Sequence, residues 1–143
     1  MMLVIDLPPV PRELDVNHGK RDGRARAGAV KMARGQARVL ALRAMQEAGV
    51  KRGEFHPRFV YLVTFWRGHR VDYDNRLANV KAYQDGIFDM LGADDNEVCT
   101  GCSSVVHLDK EHARFHLSMS LMLFDNRDEF LEILAKMEVQ HAG

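Results

Sequence analysis

The chain has 143 residues, of which 46 % are hydrophobic, enough to build one core without disulfides or a structural metal. Lysine plus arginine balance aspartate plus glutamate at 20 each, so net charge alone argues for no polyanionic partner, and two cysteines cannot make a disulfide framework. No apolar run approaches the ~20 residues of a membrane span. The apolar start, Met1 to Ile5, is cut short by Asp6 and has neither the basic head nor the length of a signal peptide, so a cytoplasmic protein with no membrane partner is expected.

In chain order, residues 3–7 read as a short strand, ended by Pro8, Pro9 and Pro11, which hold the following backbone extended. Residues 12–27 are polar and basic with Gly19 and Gly23, the composition of a loop or arm. From about 28 to 48 the spacing becomes helical: Val30, Ala33, Ala37, Leu40 and Ala44 recur at threes and fours. Lys31, Arg34 and Arg38 fall on another part of that helix, and Gly49 is its expected stop. Residues 58–66, Arg-Phe-Val-Tyr-Leu-Val-Thr-Phe-Trp, are β-branched and aromatic and predict a buried strand.

A second helix is expected over 74–91, with Leu77, Val80, Ile87, Phe88 and Leu91 on one side. Residues 97–108 and 113–124 read as two strands, and the polar Asp109-Lys110-Glu111-His112 between them suggests a hairpin. In the second, Phe115, Leu117, Met119, Leu121 and Leu123 share a face. Asn126 followed by Glu129 resembles a capping box opening a last helix over about 127–139. The order β-α-β-α-β-β-α predicts a single α+β domain spanning 1–143, with one small mixed sheet and helices packed on it.

Charge is unevenly spread. Residues 20–43 hold eight basic residues against Asp22 alone, whereas residues 72–97 hold seven acidic residues against Arg76 and Lys81. A phosphate-binding surface beside a cation site would have this distribution, and so would a mixed-charge solvated surface.

The informative acids are Asp72-Tyr-Asp74-Asn75, then Asp85, then Asp94-Asp95. Asp72 and Asp74 sit where a strand hands over to a helix, and two carboxylates one residue apart point the same way if the backbone is extended. Tyr73 between them would then point away. Asp74, Lys81 and Asp85 lie along one helical stripe, and Asp94-Asp95 follows Gly92 and can fold back towards it. Carboxylates gather only if a cation neutralises them, and Mg²⁺ takes a few carboxylate oxygens, activates water and offsets charge on a phosphate. The plainer alternative makes Asp74 or Asn75 a helix cap and the other acids solvated surface.

The stretch Asp72-Tyr-Asp74-Asn75, Lys81-Ala-Tyr-Gln-Asp85 and Asp94-Asp95-Asn-Glu-Val98 resembles the RusA-type Holliday junction resolvases, a family common in prophages. The proline-rich start after a short strand and the later pair of strands are similar too, so the resemblance covers about 2–124 and leaves 125–143, the C-terminal helix, outside. It implies a Mg²⁺-dependent endodeoxyribonuclease, with Mn²⁺ as an alternative ion, that acts as a homodimer and makes paired cuts in four-way DNA junctions during recombination and repair. Carried over by position, it implies metal binding and catalysis by Asp72, Asp74 and Asp95, an active-site role for Lys81, and DNA contacts by Arg67, His69 and Arg70. Arg76 and the helical Lys31, Arg34 and Arg38 are further candidates for contacting DNA. The chain departs from the family pattern at Lys81, which lies seven residues after Asp74 where the family has four; the shift is ~4.5 Å along a helix. That leaves open a junction-binding protein without cleavage, or a nuclease for other branched DNA.

Two other signals are weaker. Cys99-Thr-Gly-Cys102, with His107, His112 or His116, has the residue types of a zinc site, but one Cys pair at a strand start is more simply sheet packing. The seven histidines form no ligand motif.

Overall fold

The computed structural model describes residues 1–8, 10–14, 23–66, 73–96, 98–106 and 118–142. Strand β1 (Met2–Leu7) is followed by a 3-10 turn at Arg12–Leu14 and the long helix α1 (Gly23–Ala48). Then come β2 (Phe59–Trp66), α2 (Tyr73–Leu91), β3 (Cys99–Val106), β4 (Ser118–Phe124) and α3 (Arg127–Ala142). The expected α+β element order is the observed one. Helix α1 starts earlier than the apolar spacing predicts, so the last residues of the expected 12–27 loop are helical, as is the turn at 12–14.

The four strands form one mixed sheet in the order β1-β4-β2-β3. Strand β4 runs antiparallel to both neighbours, with Leu3↔Leu123 and Ile5↔Leu121 on one side and Val60↔Leu123 and Leu62↔Leu121 on the other. Strand β3 runs parallel to β2, with Phe59↔Cys99 and Leu62↔Cys102. The expected hairpin between the third and fourth strands is therefore wrong: β2 lies between them. The polar 109–112 segment that suggested the turn lies outside the described residues. Composition gives the physical reason. The apolar Phe-Val-Tyr-Leu-Val-Thr-Phe-Trp of β2 is best satisfied with a neighbour on each edge, while the small, polar Cys-Thr-Gly-Cys-Ser-Ser start of β3 suits a strand paired on one side.

One face of the sheet carries Leu3, Ile5, Leu7, Val60, Leu62, Met119, Leu121 and Leu123, all buried, and meets the two long helices in a common core. Each such side chain contributes about 1.5–3 kcal/mol by leaving water. The alternation expected for 119–123 is observed, and Phe115 and Leu117 lie outside the described residues. Helix α1 buries Ala33, Ala37, Ala41 and Met45, a row at spacing four, with Val30, Leu40 and Ala44 only partly covered. Those small residues let α2 approach closely. At the crossing a Cβ added to Gly86 would stand 2.4 Å from the Arg34 carbonyl oxygen and 2.9 Å from the Ala37 Cβ. On α2, Val80, Tyr83, Ile87, Phe88 and Leu91 are buried.

The opposite face receives α3. Phe130 stacks on Phe59 with centroids 4.8 Å apart and meets Phe124 edge-on at 5.3 Å. Asn126 caps α3 as expected, its Oδ1 accepting the backbone N–H of Asp128 at 2.8 Å and of Glu129 at 3.2 Å. The reciprocal half of a capping box is replaced: the Glu129 carboxylate accepts from the Met1 ammonium at 2.8 Å.

Candidate functional site: the C-terminal half of helix α2

Helix α2 ends where the sequence suggests. Gly92 takes the left-handed conformation at φ 70°, and its N–H and that of Ala93 return to the Phe88 carbonyl at 3.0 and 3.2 Å. The turn at 51–54 seals the same end. Gly53 N–H donates to the Leu91 carbonyl at 2.9 Å, and Arg52 Nη2 donates to the Asp89 carbonyl at 3.3 Å. A guanidinium there also complements the negative pole of the helix.

Past Gly92 the chain folds back along α2. Asp94 forms a local turn, its Oδ1 accepting the Asn96 backbone N–H at 3.1 Å and its Oδ2 the Asn96 side-chain N–H at 3.0 Å. This sets Asp95 against the helix. Lys81 Nζ donates to Asp85 Oδ1 at 2.8 Å and to Asp95 Oδ2 at 3.1 Å. The stripe of Lys81 and Asp85 and the return of Asp95 are thus observed together: one ammonium shared by two carboxylates. The bond to Asp85, reinforced by Asp95, raises the Lys81 pKa above its ordinary value. Lys81 keeps 60 % of its side chain exposed, against 30 % for Asp85 and 26 % for Asp95, so the cluster is open on the lysine side.

One turn further along α2 the charges invert. Arg34 and Arg38 of α1 each donate an Nη2 to the same oxygen, Asp89 Oδ2, at 2.9 Å. These bonds, Arg38 first and then Arg34, hold the Asp89 carboxyl below its ordinary pKa. The spacing of four puts both arginines on one side of α1, and the contact at Gly86 brings that side within reach of Asp89. Of the residues expected to contact DNA, the two α1 arginines, Arg34 and Arg38, are therefore engaged by α2, while Lys31 is exposed on α1. A cleft of about 430 Å³ joins the two clusters, walled by Arg34, Arg52 and Asp89 and by Asp85, Asp94 and Asp95.

The other expected residues are placed as follows. Asp74 and Arg76 lie in the first turn of α2, and their side chains are outside what is described. Tyr73 is the first residue of that helix, so the backbone is already helical at Asp74. Asp72, Arg67, His69 and Arg70 lie outside the described residues, as do His107, His112 and His116. Among the described residues no three His, Cys, Asp or Glu side chains gather as a metal site. Cys99 and Cys102 occupy β3 positions opposite Phe59 and Leu62. Lys81 is seven residues beyond Asp74, ~10 Å along the axis, and on nearly the same side of the helix.

Sequence reasoning missed Asp89, Arg52 and Gly86. The first had a partial signal, since Arg34 and Arg38 at spacing four share one side of α1 and can converge on a single acid. Gly86 inside a helix pattern marked a close approach. Arg52 had none, because its position depends on how the 51–54 turn docks. Among the described residues no helix is long and apolar enough to cross a membrane. No protein-family model matches the chain, and no curated protein matches it either.

Proposed function

We propose that the chain is a Mg²⁺-dependent, structure-specific endodeoxyribonuclease of the RusA type, acting in the cytoplasm as a homodimer on four-way DNA junctions. The observation that carries this reading is Lys81 Nζ bonded to both Asp85 and Asp95 at the edge of a charged cleft. It joins two separated parts of the motif, the helical Lys-Asp pair and the following Asp-Asp.

The donor chemistry fits a hard divalent cation. Asp95 is a partly exposed carboxylate in a loop returned to the helix, and it already shares a positive charge with Asp85. Asp72, Asp74 and Asp95 would hold Mg²⁺, or Mn²⁺ in its place, which supplies an activated water and neutralises charge on the phosphate. Lys81 would turn its exposed ammonium towards the scissile phosphate, while Arg67, His69, Arg70 and Arg76 would hold the backbone beside it. A two-fold dimer would present two such sites to the two-fold symmetric strands of a junction.

The test is a cleavage panel of four-way junction, flap and linear duplex in Mg²⁺ or Mn²⁺, with Asp95→Asn alongside. Mg²⁺-dependent cutting of the junction that Asp95→Asn abolishes is expected. Full activity in the variant would overturn the assignment. A second reading, junction binding without cleavage, is favoured by the position of Lys81 seven residues after Asp74, where the family has four; tight junction binding with no cutting in either ion would select it. Preference for the flap would select a nuclease for other branched DNA.

A further inference from the structure

Asp89 has more positive charge around it than it can neutralise. Two guanidiniums from α1 converge on one of its oxygens at 2.9 Å, and a third, Arg52, reaches its backbone carbonyl at 3.3 Å. Arg34 commits Nη2 to this contact, while its buried Nε has no hydrogen-bond partner among the described residues. The group is accessible, with 40 % of Arg34, 48 % of Arg38 and 43 % of Asp89 side-chain surface exposed. The cleft that Arg34 and Arg52 line is also lined by Asp85, Asp94 and Asp95, with Lys81 bonded to two of them. The cleft thus carries basic groups, Arg34 and Arg52, with Arg38 joined to them through Asp89, as well as acidic ones.

We infer that the Arg34–Arg38–Arg52 group is a backbone-phosphate site of nucleic acid, and that Asp89 is an internal competitor which the phosphate displaces. A phosphodiester offers two unesterified oxygens to guanidinium forks that now share a single carboxylate oxygen. The exposed pairs holding Asp89 are individually weak, so exchange for an incoming phosphate is inexpensive. The device favours ligands that supply several phosphates at once, because one isolated anion must displace Asp89 without help from neighbouring contacts. Nucleic acid as the source of the phosphate rests on the nuclease reading above; the guanidinium site itself requires neither metal nor catalysis.

The decisive variant is Asp89→Asn, which keeps an oxygen acceptor for the arginines and removes the charge. Binding of a short fluorescent DNA duplex is measured in EDTA across a salt series, with thermal melting as a check on folding. A gain of about three- to tenfold in affinity is expected, with the slope of log Kobs against log salt steeper by about one. Adding Arg34→Gln and Arg38→Gln to Asp89→Asn should erase that gain. If Asp89 is only a staple between the helices, Asp89→Asn lowers the melting temperature and leaves affinity unchanged or weaker, which overturns the inference. In the wild-type chain, the guanidinium Nε–H resonances of Arg34 and Arg38 should shift on titration with inorganic phosphate and more strongly with the duplex. No shift with either probe also overturns it. An Asp89→Asn gain in a chain that cuts no junction would reject the nuclease reading alone; junction cutting without the gain would reject only the phosphate site.

Discussion

Two clusters one helical turn apart on α2 have opposite stoichiometry. At Lys81 one cation serves two carboxylates, and at Asp89 one carboxylate serves two guanidiniums. Each is locally unbalanced, the first towards needing positive charge and the second towards needing negative charge. Between surface groups such bonds add little to stability, commonly below about 1 kcal/mol each. Their significance lies in the leftover charge: a cation belongs beside the first and an anion beside the second, with a cleft connecting them. A phosphodiester chain accompanied by a divalent ion supplies both.

The sharpest way to break the contrast is to remove a carboxylate from the cation-seeking side. On the nuclease proposal, Asp95→Asn in that cluster, and equally Asp74→Asn at the start of α2, is expected to lower Mg²⁺-dependent junction cleavage by about a thousandfold, roughly 4 kcal/mol of transition-state stabilisation, while gel-shift binding survives. Retained cleavage in both variants would remove the metal assignment. Next in size is the close helix contact that brings Arg34 and Arg38 to Asp89. Gly86→Ala places a methyl group against the Arg34 carbonyl oxygen, and overpacking of this kind costs about 2–3 kcal/mol in urea unfolding. It should also weaken the Arg34 and Arg38 contacts to Asp89, visible as a smaller acid sensitivity. A stability equal to wild type would mean that the helices part easily.

A smaller effect separates the roles of the ammonium. With Lys81→Met, Asp85 and Asp95 lose their internal cation, so Mg²⁺ affinity measured by calorimetry should rise about threefold to tenfold even as cleavage falls. Unchanged affinity would show that Lys81 does not compete for the carboxylates. The smallest effects are on pH dependence. The Asp89 pKa is lowered in the fold, so its contribution is present above its ordinary 3.8 and is lost as pH falls through the folded value. Asp89→Asn should flatten that acid limb of the urea midpoint. The Lys81 pKa is raised, so its contribution is present below 10.5 and is lost as pH rises through the folded value; Lys81→Met should flatten the alkaline limb.

What could be read without coordinates depended on range. Helices announced themselves through local spacing, so Val80, Ile87, Phe88 and Leu91 were placed in the core and Lys81 beside Asp85. The Gly92 stop was legible because a left-handed residue at a helix end favours glycine, and it made the return of Asp95 expected. Strand order was not legible. A polar tetrapeptide between two strands suggests a hairpin by local rules, whereas pairing is decided by which strand most needs two covered edges, a property of the whole sheet. Phe55, fully buried in a loop, belonged to no periodic segment and gave no signal. The Asp89 cluster was half legible: the spacings were there, but that α1 and α2 lie side by side follows only from their alanine row and Gly86 meeting in space.

The placement of β4 between β1 and β2 also bears on biosynthesis. The first strand of the chain has no partner until residues 118–124 exist, because its register runs from Met2↔Phe124 to Leu7↔Met119. A nascent chain emerging from the ribosome can form α1 and α2 early, from contacts close in sequence, yet must hold β1 and β2 apart until β4 inserts between them. Completion of the sheet therefore waits for residues 118–124. A stop codon anywhere before residue 118 would leave the buried faces of β1 and β2 without the strand that joins them, so such fragments should be protease-sensitive rather than partly active.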